Sequence, residues 1–408
     1  MMPCILGDVC DFINGGAWSD KEYVESGLPV LKVTNCKNSG FVLDTISYLS
    51  MESAEKYAKN KLNVGDVIIA TVGSHPNLKE SAAGRASIVD SSVKGFYLNQ
   101  NAVCLRTKDA SILSQGYLGY LSKTHSFQHY IQMRGRGAAN QMRIAISSIK
   151  EYSFDLPCLA LQCKIADILS AYDNLIENNQ KKIKLLEDAA QRLYKQWFID
   201  LRFPGHETTP IVDGLPKGWK KCRIDERFKT VLGGTPSRAN PNYWNGNIAW
   251  INSGEVNNLR IMKASEYITE LALEKSATKM MPVHTTVLAI TGATLGQVSY
   301  TEIETCANQS VVGIIDETEL FSMYLYLFVS TNIKSMIGKA TGGAQQHINK
   351  DIVNEYKIIL PEERVIKKMN ILASPLFNKI ADCYRQIEKL TESRDRLLPK
   401  LMNGELEV

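Results

Sequence analysis

The apolar positions of this chain fall into two textures that alternate along it. Residues 1–157 and 215–361 carry short β-favouring runs broken by Gly, Asn and Pro. The first stretch has Pro29-Val-Leu-Lys-Val33, Asp66-Val-Ile-Ile-Ala70 and Asn101-Ala-Val-Cys-Leu105; the second has Ile248-Ala-Trp-Ile251, Thr286-Val-Leu-Ala-Ile290 and Ser310-Val-Val-Gly-Ile314. Such runs predict mixed α+β domains built on irregular sheets, with helical patches at 111–132 and 320–337 late in each. From about 158, and again from about 362, the period changes to that of unbroken helix. Ile165, Leu169, Tyr172, Ile176, Asn179, Ile183, Leu186, Ala190, Leu193 and Trp197 alternate steps of four and three, a coiled-coil seam. Met369, Ala373, Leu376, Ile380, Cys383, Ile387, Leu390, Arg394, Leu397 and Leu401 repeat it.

Two such seams hide most simply against each other, antiparallel. From Ile165 to Trp197 such a helix would form a strut of about 48 Å. Asn179 and Arg394 depart from the apolar pattern; a polar seam residue either fixes register and partner or is a satisfied packing defect. Ser374-Pro375 reads as an N-cap followed by an N1 proline, predicting that the second helix breaks there, and Ser170-x-x-Asp173 offers a weaker break in the first.

The two halves are copies of one another. At an offset of 204, Gln141 falls on Gln345, Ile144 on Ile348, Glu151-Tyr152 on Glu355-Tyr356, Leu156-Pro157 on Leu360-Pro361 and, without a gap, Arg192-Leu193 on Arg396-Leu397. Earlier the offset drifts to 209 (Asn99-Gln100 on Asn308-Gln309) and about 219 (Gly73 near Gly292), the mark of loop insertions. A repeat this long is a duplicated domain with its following helix, far beyond a solenoid unit of ~20–50 residues. The expected organisation is a domain at 1–157, a helical spacer at 158–203, a second domain at 204–361 and a second spacer at 362–408. The fold class is α+β: two pseudo-symmetric domains separated by two long helices forming an antiparallel coiled coil.

Composition narrows the partners less than the pattern does. With 47 basic and 43 acidic residues the chain carries +4 over 408 residues, so any basic surface is local. The longest strongly apolar run, 323–329, falls far short of the ~20 residues that span a bilayer, which argues against a membrane partner. The nine cysteines include no C-x-x-C pair, as for reduced thiols in a cytoplasmic protein.

Catalytic candidates are scarce. The chain has no Pro-Pro, which a methyltransferase gripping an exocyclic amine would carry, no Pro-Asp to open a nuclease metal motif, and no phosphate loop. His125 and His129 sit four apart on a helical patch but lack the Glu of a zinc motif, so no metal site is expected. Gly15-Gly16, Gly233-Gly234 and Gly292-Ala-Thr-Leu-Gly296 recur in both halves and read as turns. Basic, flexible loops placed equivalently in both halves stand out instead. Arg134-Gly-Arg-Gly-Ala-Ala-Asn-Gln-Met-Arg143 offers Arg134, Arg136, Asn140, Gln141 and Arg143. Its counterpart 339–350 offers Lys339, Gln345, Gln346, His347, Asn349 and Lys350. Arg and Lys reach phosphates or guanine, Gln and Asn can bond adenine, and glycine lets backbone approach a duplex; the bland alternative for either loop alone is a solvated closure of its domain. Lys79, Arg85, Arg238 and Thr294 are weaker candidates.

The ordered set of Leu215-Pro-Lys-Gly-Trp219, Ile290-Thr-Gly-Ala-Thr-Leu-Gly296, the Asn-Gln pairs at 99 and 308, Leu-Pro before each helix and Leu193-Tyr-Lys-Gln-Trp-Phe-Ile-Asp-Leu-Arg-Phe-Pro204 resembles the specificity subunit of type I restriction-modification systems. The resemblance implies two target-recognition domains, each reading half of a bipartite site on double-stranded DNA, and a non-catalytic chain with no cofactor of its own. It implies that two modification methyltransferase subunits dock on the helices, with Ile176, Asn179, Ile183, Leu186, Leu193, Trp197, Ile380, Ile387, Leu390 and Leu397 as the pairing or partner positions. S-adenosylmethionine, ATP and Mg would then belong to the modification and restriction (motor) subunits. The first domain lacks the Leu-Pro-x-Gly-Trp opening of the second, so either its first strand is tethered differently or the native start is an alternative one. The alternatives are the recognition subunit of a related system that cleaves on both sides of its site, and a coiled-coil scaffold that binds no DNA.

Overall fold

The computed structural model describes residues 2–37, 40–43, 45–73, 83–138, 141–338 and 348–408, with residues 138 and 141 by their backbone alone. It divides into two compact units, Met1–Leu175 with Leu390–Val408, and Ile176–Lys389. Both divisions fall inside a long helix.

In the first unit the strands Ala86–Ile88, Val67–Ala70, Ala102–Thr107 and Cys10–Asn14 form an antiparallel sheet in that order. Its central strands are continuous apolar runs because both faces are covered. Val67, Ile69, Val103 and Leu105 point into one core with Tyr117, Leu118 and Phe127. The alternate residues Ile68 and Cys104 meet Leu31 and Leu98 on the other face, as the two-residue period of a strand requires. A smaller sheet, Tyr97–Leu98, Leu28–Leu31, Ser47–Leu49 and Tyr23–Val24, lies beyond that second face. The helical patch resolves into Gln115–Lys123 and His125–Gln132, whose N-caps Ser114 and Thr124 accept from the Tyr117 and Phe127 amides.

The second unit repeats the plan: Lys229–Leu232, Val311–Ile315, Thr286–Ala289 and Val298–Thr301 are antiparallel, with Arg260–Ile261 added parallel at the edge. Here Leu288, Val312 and Ile314 face one core and Val287, Ala289 and Val311 the other. A single helix, Ser322–Gly338, takes the place of the helix pair. The expected difference in tethering is not found: Met2–Ile5 pairs antiparallel with Ser153–Leu156 just as Lys220–Arg223 pairs with Lys357–Leu360.

The long helices span Leu159–Tyr194 and Glu363–Met402, the first ending in a π turn, Lys195–Ile199, that buries Trp197 and Phe198. Neither predicted break occurs. Pro375 cannot donate to the carbonyl of Ile371, but Ile371 is 72% exposed and water can serve that group, while Met369, Ala373, Phe377 and Ile380 are buried on either side of the proline. Tertiary packing on both flanks outweighs the local helix-breaking preference. Ser170 stays helical, its hydroxyl donating to the Asp167 carbonyl.

The helices run antiparallel within each unit. In the second, Ile183 clusters with Ile380 and Cys383, Leu186 and Ile387 pack against them, and Tyr194, Trp197 and Leu193 lie with Met369 and Ala373. In the first, Ile165 and Leu169 share a core with Leu401, against which Leu397 packs. Asn179 is buried in the seam, and Ile176 and Leu390 are half-buried.

Candidate nucleic-acid interface

In the first unit the strands end together at one edge of the sheet, and hydrogen bonds carry the order outward. Gly15 N–H donates to the Ala102 carbonyl (2.9 Å), Thr71 N–H to Asn101 (2.8 Å) and Ile144 N–H to Thr71 (2.8 Å). From there a ribbon grows: Gln141–Arg143 pairs antiparallel with both Val72–Gly73 and Arg136–Ala138. Alternation along it places Met142 in the core and leaves Arg143 exposed, and Arg136 stands directly opposite Arg143. Like charges across a pair disfavour the ribbon, and among the described residues neither has an acidic partner, so the arrangement suits a polyanion. Arg134 is held beside them, its guanidinium 3.5 Å from the centre of the Tyr130 ring and bonded to the Tyr130 carbonyl. Next to it, Met142 packs directly on Gly135, where a Cβ would lie 1.6 Å from Met142 Cε.

The equivalent edge of the second unit has the same wiring. Gly233 N–H donates to Val311, Ile290 N–H to Ser310, and Ile348 N–H to Ile290 at 3.1 Å. Thr294 closes the turn Gly292–Thr294, its hydroxyl directed to the Thr291 carbonyl. Asn349 serves as N-cap of the helix Lys350–Glu355, accepting from the Ile352 amide at 2.9 Å, and Lys350 follows it, half-buried. Lys79, Asn140, Lys339, Gln345, Gln346 and His347 lie outside the described residues, as does the side chain of Gln141.

Two candidates have partners within the chain. Arg85 donates to the Cys36 carbonyl at 2.6 Å. Arg238 forms a two-pronged bond to Glu266 (2.8 and 2.6 Å) and stacks 3.7 Å over Trp244. The bond to Glu266 raises its pKa further.

The edge also holds residues absent from the predicted set. A Cβ on Gly15 would lie 1.9 Å from the Asn99 carbonyl oxygen, and one on Gly233 2.0 Å from that of Asn308. Gly15 and Gly233 are therefore close-approach positions that lock the Asn-Gln segments in place, while Gly292 sits at positive φ in a turn, and each segment leaves its glutamine, Gln100 or Gln309, exposed. The Thr235 hydroxyl donates to Gln309 Oε1 at 2.5 Å. The recurrence of Asn-Gln in both halves was the signal that marked them.

Each unit also clamps its sheet domain to the helices through a tyrosine. In the first, Tyr120 donates to Asp173 (2.7 Å), which also accepts from Arg394 (2.6 Å). Burial raises the Tyr120 pKa and lowers that of neighbouring Lys123. In the second, Tyr326 donates to Glu187 (2.5 Å), as does Arg260 (3.2 Å). Arg260 is fully enclosed, its guanidinium 4.6 Å from the centres of the Tyr326 and Phe377 rings and 3.7 Å from Glu302, whose pKa burial raises.

Two matched sheet edges bear basic and amide side chains, and each is clamped to paired helices, so the chain is a duplicated scaffold with two equivalent surfaces. The sequence model described as the type I restriction modification DNA specificity domain matches the chain twice, at residues 2–188 and 216–381. The chain belongs to that family, and its role is non-catalytic recognition of DNA sequence within a restriction-modification system.

It is 30% identical to the MjaIX specificity subunit of Methanocaldococcus jannaschii, over 72% of this chain and 69% of that one. It is 22% identical to the HindI specificity subunit of Haemophilus influenzae, over 86% and 88%. The crystal structure of the type I S subunit from M. genitalium shares the fold, with a TM-score of 0.57 at 16% identity over 98% of this chain and 95% of that one. Among the described residues no helix is long and apolar enough to cross a membrane, and no group of three His, Cys, Asp or Glu is placed to hold a metal; His125 and His129 stack on each other with ring centroids 5.8 Å apart.

Proposed function

We propose that the chain reads a bipartite site on double-stranded DNA, one half through residues 1–157 and the other through 204–361. Residues 158–203 and 362–408 act as spacers on which two modification methyltransferase subunits dock. S-adenosylmethionine, and ATP and Mg with any restriction subunit, belong to those partners, and the complex works in the cytoplasm. The observation that supports this reading is the Arg136–Arg143 ribbon on the first sheet edge, two facing arginines without an acidic partner among the described residues, whose wiring recurs at Ile290 and Ile348. Arg134, Arg136 and Arg143 contact phosphates or base edges, and Lys350 and Thr294 lie on the corresponding edge of the second domain.

Exchanging residues 1–150 for those of a relative tests the reading. The methylated sequence should change in one half only; a change in both halves ends the modular reading. Arg136→Ala should weaken duplex binding and, where it neutralises a phosphate, lower the slope of log affinity against log salt by about one. Unchanged affinity at low and high salt removes Arg136 from the interface.

A further inference from the structure

We propose that Gln309 and Gln100 are matched specificity-determining residues, one in each recognition domain, and that Thr235 is a positioning residue for Gln309. The proposal rests on the reading of these domains as DNA-binding and names the groups that discriminate bases. Both glutamines follow an asparagine whose carbonyl is packed against a glycine that has no room for a Cβ, so each side chain leaves a backbone fixed in place. The Gln100 amide donates to the Gly16 carbonyl at 2.9 Å, and the Gly16 amide to Leu98 at 2.8 Å; in the second unit the Gly234 amide donates to Ala307 at 2.8 Å. Both side chains are exposed in short connections between buried strand residues, Leu98 and Ala102 in one unit and Ala307 and Val311 in the other. An exposed, uncharged residue on a backbone held by these contacts, on an edge that also carries basic side chains, is placed to discriminate rather than to attract.

Chemistry selects what they read. A carboxamide offers a donor and an acceptor side by side, matching the N7 acceptor and N6 donor of adenine in the major groove. With Thr235 donating to one lone pair of Gln309 Oε1, the other lone pair and the amino group remain for a base, and the side chain is already oriented. Gln100 has no such partner: Ala17 stands in the place of Thr235 after the paired glycines, and among the described residues the Gln100 side chain makes no hydrogen bond. Gln100 must surrender its rotamer freedom on binding, whereas Gln309 has largely done so. The second domain is therefore the stricter reader at this position.

The test uses the full-length chain with its modification partner, selected against a randomised pool of DNA duplexes that is sequenced before and after binding. Gln309→Ala should erase an adenine preference at one position of one half-site, a loss of about 10- to 100-fold in discrimination. The other half-site stays intact. Gln100→Ala should do the same, by a smaller factor, in the other half-site. Thr235→Val should weaken discrimination at the Gln309 position alone, and Ala17→Thr should sharpen it at the Gln100 position. Gln309→Glu keeps the shape but loses the donor, and should lose the adenine preference while the complex still assembles. If Gln309→Ala weakens all duplexes equally or changes nothing, while Arg136→Ala still weakens binding, the glutamine assignment fails and the DNA reading stands. If the wild-type chain selects no sequence from the pool, the DNA reading itself falls.

Discussion

The two units share four antiparallel strands and each clamps its sheet domain with a tyrosine, but they complete the clamp with different charges. Asp173 and Arg394 both sit on the long helices, so the first domain contributes Tyr120 to an ion pair that exists without it. In the second unit Phe377 occupies the position 204 residues after Asp173, and the carboxylate comes from Glu187 instead. Its cation, Arg260, belongs to the sheet domain. The first domain thus rests on a helix pair already neutralised; the second supplies the charge that its helix needs. Duplicated modules can preserve a joint while moving its charged partners, and the cost of breaking the joint then differs between copies.

The largest effect should come from Arg260→Met. It leaves Glu187, 8% exposed, with Tyr326 and no cation, and should destabilise the second unit by about 3–5 kcal/mol. Thermal or urea unfolding measures this, and Arg260→Met combined with Glu187→Leu should recover much of the loss. Recovery of nothing would mean that the stacking on Tyr326 and Phe377, not the charge, holds the joint. Next, Tyr326→Phe should cost about 1.5–3 kcal/mol and Tyr120→Phe less, since Asp173 keeps Arg394; equal losses would erase the asymmetry. Arg394→Met should cost about 1 kcal/mol or less, because both it and Asp173 remain partly solvated.

The smallest effect concerns acidity. Burial raises the Glu302 pKa, so its folded value lies above its unfolded one. Its contribution to stability is fully present below the unfolded pKa and lost as pH rises through the folded one. The second unit should therefore lose a little stability on passing upward through the carboxylate range, and Glu302→Gln should flatten that slope in a pH series of melts. Thiol labelling then reports which unit opens first. Burial pushes Cys104 to about 12 and Cys306 to about 11, so each should react only once its own unit unfolds, whereas exposed Cys158 and Cys163 react in the native state.

Much of this architecture was legible in the residues. The seam could be read because a heptad is a local pattern that tertiary packing then uses, and Ile183, Ile380 and Leu401 lie where it put them. The sheets could be read as buried runs with turn punctuation. The continuous helix at Pro375 could not, because flanking burial of Met369 and Phe377 overrides a local preference that the sequence displays openly. Arg394 stood out as a flaw in the seam, yet its partner Asp173 lies 221 positions away. Nothing in the sequence singles out Arg260 and Glu187, since nothing local marks a buried pair 73 positions apart. Arg238 had the vocabulary of DNA contact, while its partners Glu266 and Trp244 could not be read from the sequence. Gln100 and Gln309 were visible as a repeat and gained their meaning only from the glycines pressed against them.

The division of the chain inside both long helices has a consequence for synthesis. The second unit is one continuous stretch, Ile176–Lys389, whereas the first needs Leu390–Val408 to bury Leu401 in its core. Made from the N-terminus at ~5–20 residues per second, the first domain emerges early and then waits roughly 10–40 s for the segment that completes it. The part translated first is the part finished last, and shielding its open core during that interval falls to the nascent chain or to whatever attends it.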